Sequence, residues 1–208
     1  MQKHWKWILP VCGVVLLIVA ALCWHLIYPR VAKYGFSREV SLAERDERMR
    51  IVRQAESWLG TREGDAAHGS ILSIYNTHTP LAQGYEVTEQ DNWCAAFGSV
   101  VAIRCGMTDI IPTECGCQRQ IGLFEQMGCW VEDDGYTPLP GDYIFYCWKD
   151  VGLGDSTGWS NHVGIVAGTA GGYIKVIEGN YKDAVAIRYI PIDGAGIRGF
   201  GVPDYGKG

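Results

Sequence analysis

Three apolar patterns run along the chain. The first is unbroken: from Trp7 to Ile27 no Asp, Glu, Lys or Arg appears. At a helical rise of ~1.5 Å per residue this run reaches roughly 30 Å, the thickness of a bilayer's hydrocarbon core. Trp5, Trp7, Trp24 and Tyr28 suit the two interfaces, while Pro10 and His25 sit near the ends. One transmembrane helix is therefore expected over residues 7–28, after a short terminus of residues 1–6. The following LCWHLIYPR has no small-x-small cleavage site, and Leu22 rather than a small residue precedes Cys23, so an uncleaved anchor is expected.

The second pattern has a period near 3.6. In SLAERDERMRIVRQAESWLG, Ser41 and Glu44 have capping-box spacing, Ile51, Val52, Ala55, Trp58 and Leu59 form a stripe, and Gly60 ends it. Residues 29–50 are read as a juxtamembrane stalk whose charged turns are solvated, with the folded domain over 51–208. In DNWCAAFGSVVAIRCG, Trp93, Ala96, Phe97, Val100 and Val101 share one helical face, with Asp91 as N-cap and Gly106 just past the end. A short helix is expected around Gln118–Met127, and Thr61–Gln90 reads as loop-rich.

The third pattern begins at Gly141. GDYIFYCW, HVGIVAG, YIKVIEG and AVAIRYIP are β-branched and aromatic runs between glycine-rich or polar turns, the spacing of an antiparallel meander. Helices first and strands second predict an α+β fold, with N-terminal helices packed on an antiparallel sheet.

Charge and cysteine usage narrow the chemistry. From Glu86 onward there are 16 acidic and 8 basic residues, which would repel a phosphate backbone, so nucleic acid is not an expected partner. Cys115 and Cys117 resemble half of a metal knuckle, but no second pair completes it and no metal or cofactor is expected. If Cys94 is kept free, five cysteines remain after Cys12 and Cys23 are assigned to the anchor, so at least one other thiol is unpaired.

Cys94 can be read in two ways. A cysteine in the first turn of a helix lies near unpaired amides and the positive end of the helix dipole, which favour thiolate; it can equally be a small buried hydrophobe. His162 begins the strand HVGIV after a polar loop and is expected at an accessible sheet edge, whereas His68 and His78 read as surface residues. One hairpin later VIEGN carries Glu178 and Asn180, and adjacent antiparallel strands can bring an imidazole and a carboxylate together. Cysteine, histidine and carboxylate are the nucleophile, base and orienter of covalent amide hydrolysis. Trp148, Trp159 and Tyr143 are candidates for lining a groove.

In this order, DNWCAAF, PLPGDYIFY, NHVGIV and VIEGN resemble the CHAP family of cysteine- and histidine-dependent amidohydrolases and peptidases. The likeness extends through WLGTREGD, YNTHTPLAQGYEV and IRGFGVPDY, over roughly Ile51 to Tyr205. It implies a papain-like fold and cleavage of amide bonds in bacterial peptidoglycan, as an N-acetylmuramoyl-L-alanine amidase or a peptide endopeptidase. Cys94 would then be the nucleophile, His162 the base, Glu178 the orienter and Asn180 an auxiliary polar group. Stem peptides or crosslinks would be the partners, and a single-pass protein of the cell membrane would carry its catalytic domain outside the cytoplasm. Flanking charge gives almost no orientation bias, so that placement follows from substrate alone. A non-catalytic wall-peptide-binding module and a cysteine protease acting on proteins are the alternative readings. Two departures from the pattern are Gly98 and Ser99 after the cysteine, and the lack of an Asp-x-Asp-x-Asp-Gly calcium loop.

Overall fold

The computed structural model describes residues 36–133, 135–149 and 158–207. The expected membrane segment, residues 7–28, lies outside them; among the described residues no helix is long and apolar enough to cross a membrane. Among the described residues four α-helices precede the sheet: α1 Leu42–Glu56, α2 Ala66–Asn76, α3 Cys94–Cys105 and α4 Cys117–Gln126. The strands are β1 Trp130–Val131, β2 Tyr143–Tyr146, β3 His162–Ala170, β4 Tyr173–Glu178, β5 Ala186–Pro191 and β6 Ile197–Gly201. They form one antiparallel sheet in the order β1-β6-β2-β3-β4-β5. The fold is α+β, with a β2–β5 meander as the alternating pattern predicts.

The helix α2 corrects the loop-rich reading of Thr61–Gln90. Asp65 caps it by accepting from the backbone of His68, and His68, Ile71, Leu72 and Tyr75 form its buried stripe. The polar residues between them hide that period.

Pleat parity sorts the sheet into two faces. Tyr143, Phe145, Val163, Ile165 and Ile177 pack with α3 in the main core, while Ile144, Tyr146, Val166, Ile174, Val176, Ile197 and Phe200 form a second cluster. Helix α3 is buried on every side from Cys94 to Ala102, not along one stripe. Its close seat on the sheet depends on glycine. A Cβ on Gly179 would stand 2.5 Å from that of Phe97, and one on Gly98 would meet the Tyr143 ring at 3.0 Å. Tyr143 is thus a core residue, its hydroxyl donating to the Gly98 carbonyl at 2.8 Å, and not part of a groove.

Charge fixes α1. Arg48 is buried and reaches Asp142, also buried, at 2.7 Å, while donating to the Pro140 carbonyl at 3.1 Å and to Glu44 at 2.8 Å. Asp142 also accepts from the Leu139 amide at 2.8 Å. Every charge in this buried cluster is paired, the condition under which burial is tolerated. Packing of α1 therefore begins a turn before Ile51, although the turns around Arg45 and Asp46 are solvent-facing.

Candidate active site

Helix α3 starts at Cys94, two residues later than an Asp91 cap would set it, with Trp93 in the capping position. Asp91 is otherwise engaged. It accepts from the Thr88 amide at 2.8 Å, the Thr88 hydroxyl at 2.7 Å and the Tyr85 hydroxyl at 2.9 Å. Trp93 pins the helix start: its buried ring lies 4.8 Å from that of His68, and its indole donates to Glu63 at 3.1 Å. His68 is accordingly a core residue and not a surface one. Its Nδ1 accepts from the Gly64 amide at 3.1 Å, a local turn bond that its sequence context does not reveal.

A row of side chains crosses four strands beside the sulfur. Tyr146 on β2 pairs with His162 on β3. Ile165 pairs with Ile177, and continuing that register sets Glu178 opposite Gly164, diagonal to His162 on the same face. On β5 the partner of Val176 is Arg188, again diagonal to Glu178. The contacts follow: His162 Nε2 lies 3.4 Å from Glu178 Oε2, and Arg188 donates to Glu178 Oε1 from Nε at 3.1 Å and Nη2 at 2.7 Å. The 3.4 Å approach is an ion-pair separation without hydrogen-bond alignment. Gly164 makes the diagonal possible, because a Cβ there would lie 2.7 Å from Glu178 Cγ and 2.5 Å from a Val176 methyl. The Arg188 guanidinium is sandwiched by rings, at 4.5 Å from Tyr146, 4.5 Å from Trp148 and 5.1 Å from Tyr181.

His162 departs from the expected exposed edge. It begins an interior strand and is buried, with the Tyr146 ring 5.7 Å and the Trp148 ring 5.4 Å away. The electrostatics are those of an ion pair. Burial alone would lower the His162 pKa, but the neighbouring Cys94 sulfur and Glu178 carboxylate outweigh it and raise the value to about 9. The Cys94 thiol is held well below its usual range, chiefly by hydrogen bonding to Cys117, against the cost of burial, and further by His162 and the Val163 amide. Burial pushes Glu178 upward, yet His162 and Arg188 together hold it below the usual carboxylate range. A thiol pushed toward thiolate beside an imidazole pushed toward imidazolium, backed by a carboxylate, is an arrangement that can serve as a nucleophile with its acid in place.

Cys117 is the first residue of α4, and its sulfur touches that of Cys94 at 3.6 Å. Both line a cleft of about 260 Å³ with Asn92, Arg119, Trp159 and Asn161. Trp159 is exposed and lines this cleft, whereas Trp148, also exposed, is not part of its lining and instead lies against the Tyr146 and His162 rings. Asn180 does not join the row of charges; in a left-handed conformation (φ 58°) it donates to Asn92 at 3.2 Å, linking the β4–β5 turn to the segment before Cys94. Among the described residues no cluster of His, Cys, Asp or Glu could hold a metal ion.

The geometry brings together Cys94, His162 and Glu178, chosen from sequence, and adds Arg188, Cys117, Gly164 and Ser99, which sequence reasoning missed. Ser99 is the brace of the cysteine pair: its hydroxyl donates to the Glu114 carbonyl at 2.7 Å and accepts from the Glu114 amide at 2.8 Å. The Glu114 carboxylate then accepts from the amides of Cys115 at 2.8 Å and Gly116 at 3.2 Å, shaping the turn into α4. A signal existed only for Arg188, whose alternation with Ile187 and Tyr189 sets it on one face of β5. Comparison with family models, with curated proteins and with solved structures finds no match to this chain.

Proposed function

We propose that this protein is a membrane-anchored cysteine hydrolase that cleaves amide bonds of bacterial peptidoglycan, with a papain-like arrangement of helix-borne nucleophile and sheet-borne base. The observation that carries the reading is the buried row in which Glu178 backs His162 beside Cys94, the first residue of α3, with the His162 pKa raised and that of Cys94 lowered. The resemblance of the four ordered motifs to the CHAP family supports peptidoglycan stem peptides or crosslinks as substrate. On this reading residues 7–28 anchor the chain in the cell membrane and the folded domain lies outside the cytoplasm.

The chemistry follows from the positions. Cys94 thiolate attacks the carbonyl carbon, forming a C–S bond as the carbonyl π electrons move to oxygen. The oxyanion is met by the amides of the first turn of α3, which precede the first intrahelical bond, Phe97 to Trp93 at 2.8 Å. On collapse the C–N bond breaks, and His162 gives its proton to the departing amine. His162 then takes a proton from water, which attacks the thioester; the C–S bond breaks, the acid leaves and the thiolate–imidazolium pair returns. Glu178 holds the imidazole's orientation and charge throughout, while Arg188 stabilises Glu178 as the anion.

The test is cell-wall zymography with the purified chain. Wild type is expected to clear peptidoglycan, and Cys94→Ala to lose the activity by ~10³-fold or more. Undiminished clearing by the variant would overturn the reading. Mass analysis of the released fragments separates amidase from endopeptidase.

A further inference from the structure

Cys117 makes and breaks no bond in the hydrolytic steps, yet its sulfur lies 3.6 Å from that of Cys94. We infer that Cys94 and Cys117 are a modification site: a reversible disulfide that a hydroperoxide closes across the starts of α3 and α4. Only the consequence for activity rests on the proposed hydrolase reading; bond formation rests on the sulfur pair itself.

Four observations converge. The separation is 3.6 Å, so closure to a disulfide of about 2.05 Å needs roughly 1.5 Å of approach, within reach of side-chain rotation and small shifts of the two helix starts. Both cysteines are the first residues of their helices, so the sulfurs meet where the two helix starts converge; Cys94 is held on the thiolate side of the pair, while contact with Cys94 and burial keep Cys117 a thiol, well above its usual range. The two helix starts are tied together from behind by Ser99 of α3 and the backbone of Glu114, whose carboxylate holds the turn leading to Cys117. Finally, both thiols are free and line the same cleft, open to a small oxidant although each residue is mostly buried. Cys115, two residues away, is differently engaged, lying 3.5 Å from the Glu114 carboxylate.

The reaction balances in two steps. Cys94 thiolate attacks one oxygen of the hydroperoxide, the O–O bond breaks, and a sulfenic acid forms as hydroxide or alkoxide departs. Cys117 then attacks the sulfenic sulfur, the S–S bond forms and the S–O bond breaks, the hydroxyl leaving as water with the Cys117 proton. Two thiols lose two electrons and the hydroperoxide gains them. A dithiol reductant reverses the change by thiol–disulfide exchange. The nucleophile is silent while the bond is closed, and Cys117 protects it from further, irreversible oxidation to sulfinic and sulfonic acids.

The experiment treats the reduced full-length chain with hydrogen peroxide, then maps non-reduced peptides by mass spectrometry and counts thiols. The expected result is a peptide joining Cys94 to Cys117, a loss of two thiols, and return of both on dithiothreitol. Cys117→Ser, checked by near-ultraviolet circular dichroism, is expected to direct Cys94 to sulfinic and sulfonic forms that dithiothreitol does not reverse. Over-oxidation of Cys94 in the wild type with Cys117 still a thiol would overturn the inference, as would joining of Cys94 to Cys115. The wild-type mapping decides even if the variant does not fold. Zymography of the same samples separates the two readings: a closed disulfide in a chain that never clears wall refutes the hydrolase alone, and clearing without a disulfide refutes only the switch.

Discussion

Replacing Glu178 by Gln tests the electrostatics of the site with a nearly isosteric change. The carboxylate is fully buried and accepts two hydrogen bonds from Arg188 while facing His162 at 3.4 Å. Removing one partner of a buried charge pair costs ~3–5 kcal/mol when the other charge is stranded. Here Arg188 keeps its stacking on Tyr146, Trp148 and Tyr181, and a Gln carbonyl can still accept one hydrogen bond, so the low end of that range is expected in urea unfolding near pH 7. The pH dependence has a definite sign. His162 is raised to about 9, so its contribution to stability is full below about pH 6.5 and is lost as pH rises through about 9. Glu178 is lowered, so its contribution is present above the normal carboxylate range and lost as pH falls through its folded value. Glu178→Gln removes the Glu178 contribution and part of that of His162, whose pKa Cys94 also raises. Hydrolysis needs the imidazolium, so the wild-type kcat/KM profile is expected to fall on an alkaline limb near pH 9. In the variant that limb moves toward the ordinary histidine value of about 6.5. A limb that stays near pH 9 in Glu178→Gln, with unchanged kcat/KM, would refute the assignment of Glu178 as the group that holds His162.

Two further substitutions probe how the backbone builds the site. Gly164→Ala sets a methyl against Glu178 and Val176; it is expected to cost ~1–3 kcal/mol by overpacking and to lower kcat through displacement of Glu178, whereas Gly122→Ala on α4, with open space at its Cβ, leaves activity unchanged. Equal activity of the two variants would remove Gly164 from the argument. Ser99→Ala strands the buried amide and carbonyl of Glu114 and is expected to cost ~2–3 kcal/mol in chemical unfolding, with Cys94 labelled by thiol reagents at an altered rate. A loss under about 0.5 kcal/mol would mean the brace is not structural.

Local pattern made much of this architecture legible. The β2–β5 strands stand out because alternation and β-branching coincide, whereas β6, with Gly199 and Gly201 in IRGFG, and the two-residue β1 carry too little of either. Helix α2 hides because polar residues intervene in its apolar period, although Asp65 is a readable cap. In α3 the apparent stripe understates burial on all sides, and Asp91, a plausible cap, is claimed by Thr88 and Tyr85. The three residues Cys94, His162 and Glu178 were readable from chemistry and strand order. Their supports were not. Arg188, Gly164 and Cys117 matter only through register and through the convergence of two helix starts, relations between distant segments that no local window contains. The same limit explains His68 and Arg48, ordinary polar residues in sequence that folding buries against Trp93 and Asp142.

The central claim is that the Cys94 sulfur rests as a thiolate paired with the His162 imidazolium. Its most direct measurement is the pH dependence of Cys94 alkylation by iodoacetamide, followed peptide by peptide in the native, reduced chain. Alkylation is predicted to remain rapid well below the ordinary cysteine value of about 8.5, and to lose part of that acid-side reactivity in His162→Ala, where the Cys117 contact remains. A Cys94 that reacts only as pH climbs through about 8.5, alike in wild type and His162→Ala, would contradict the account.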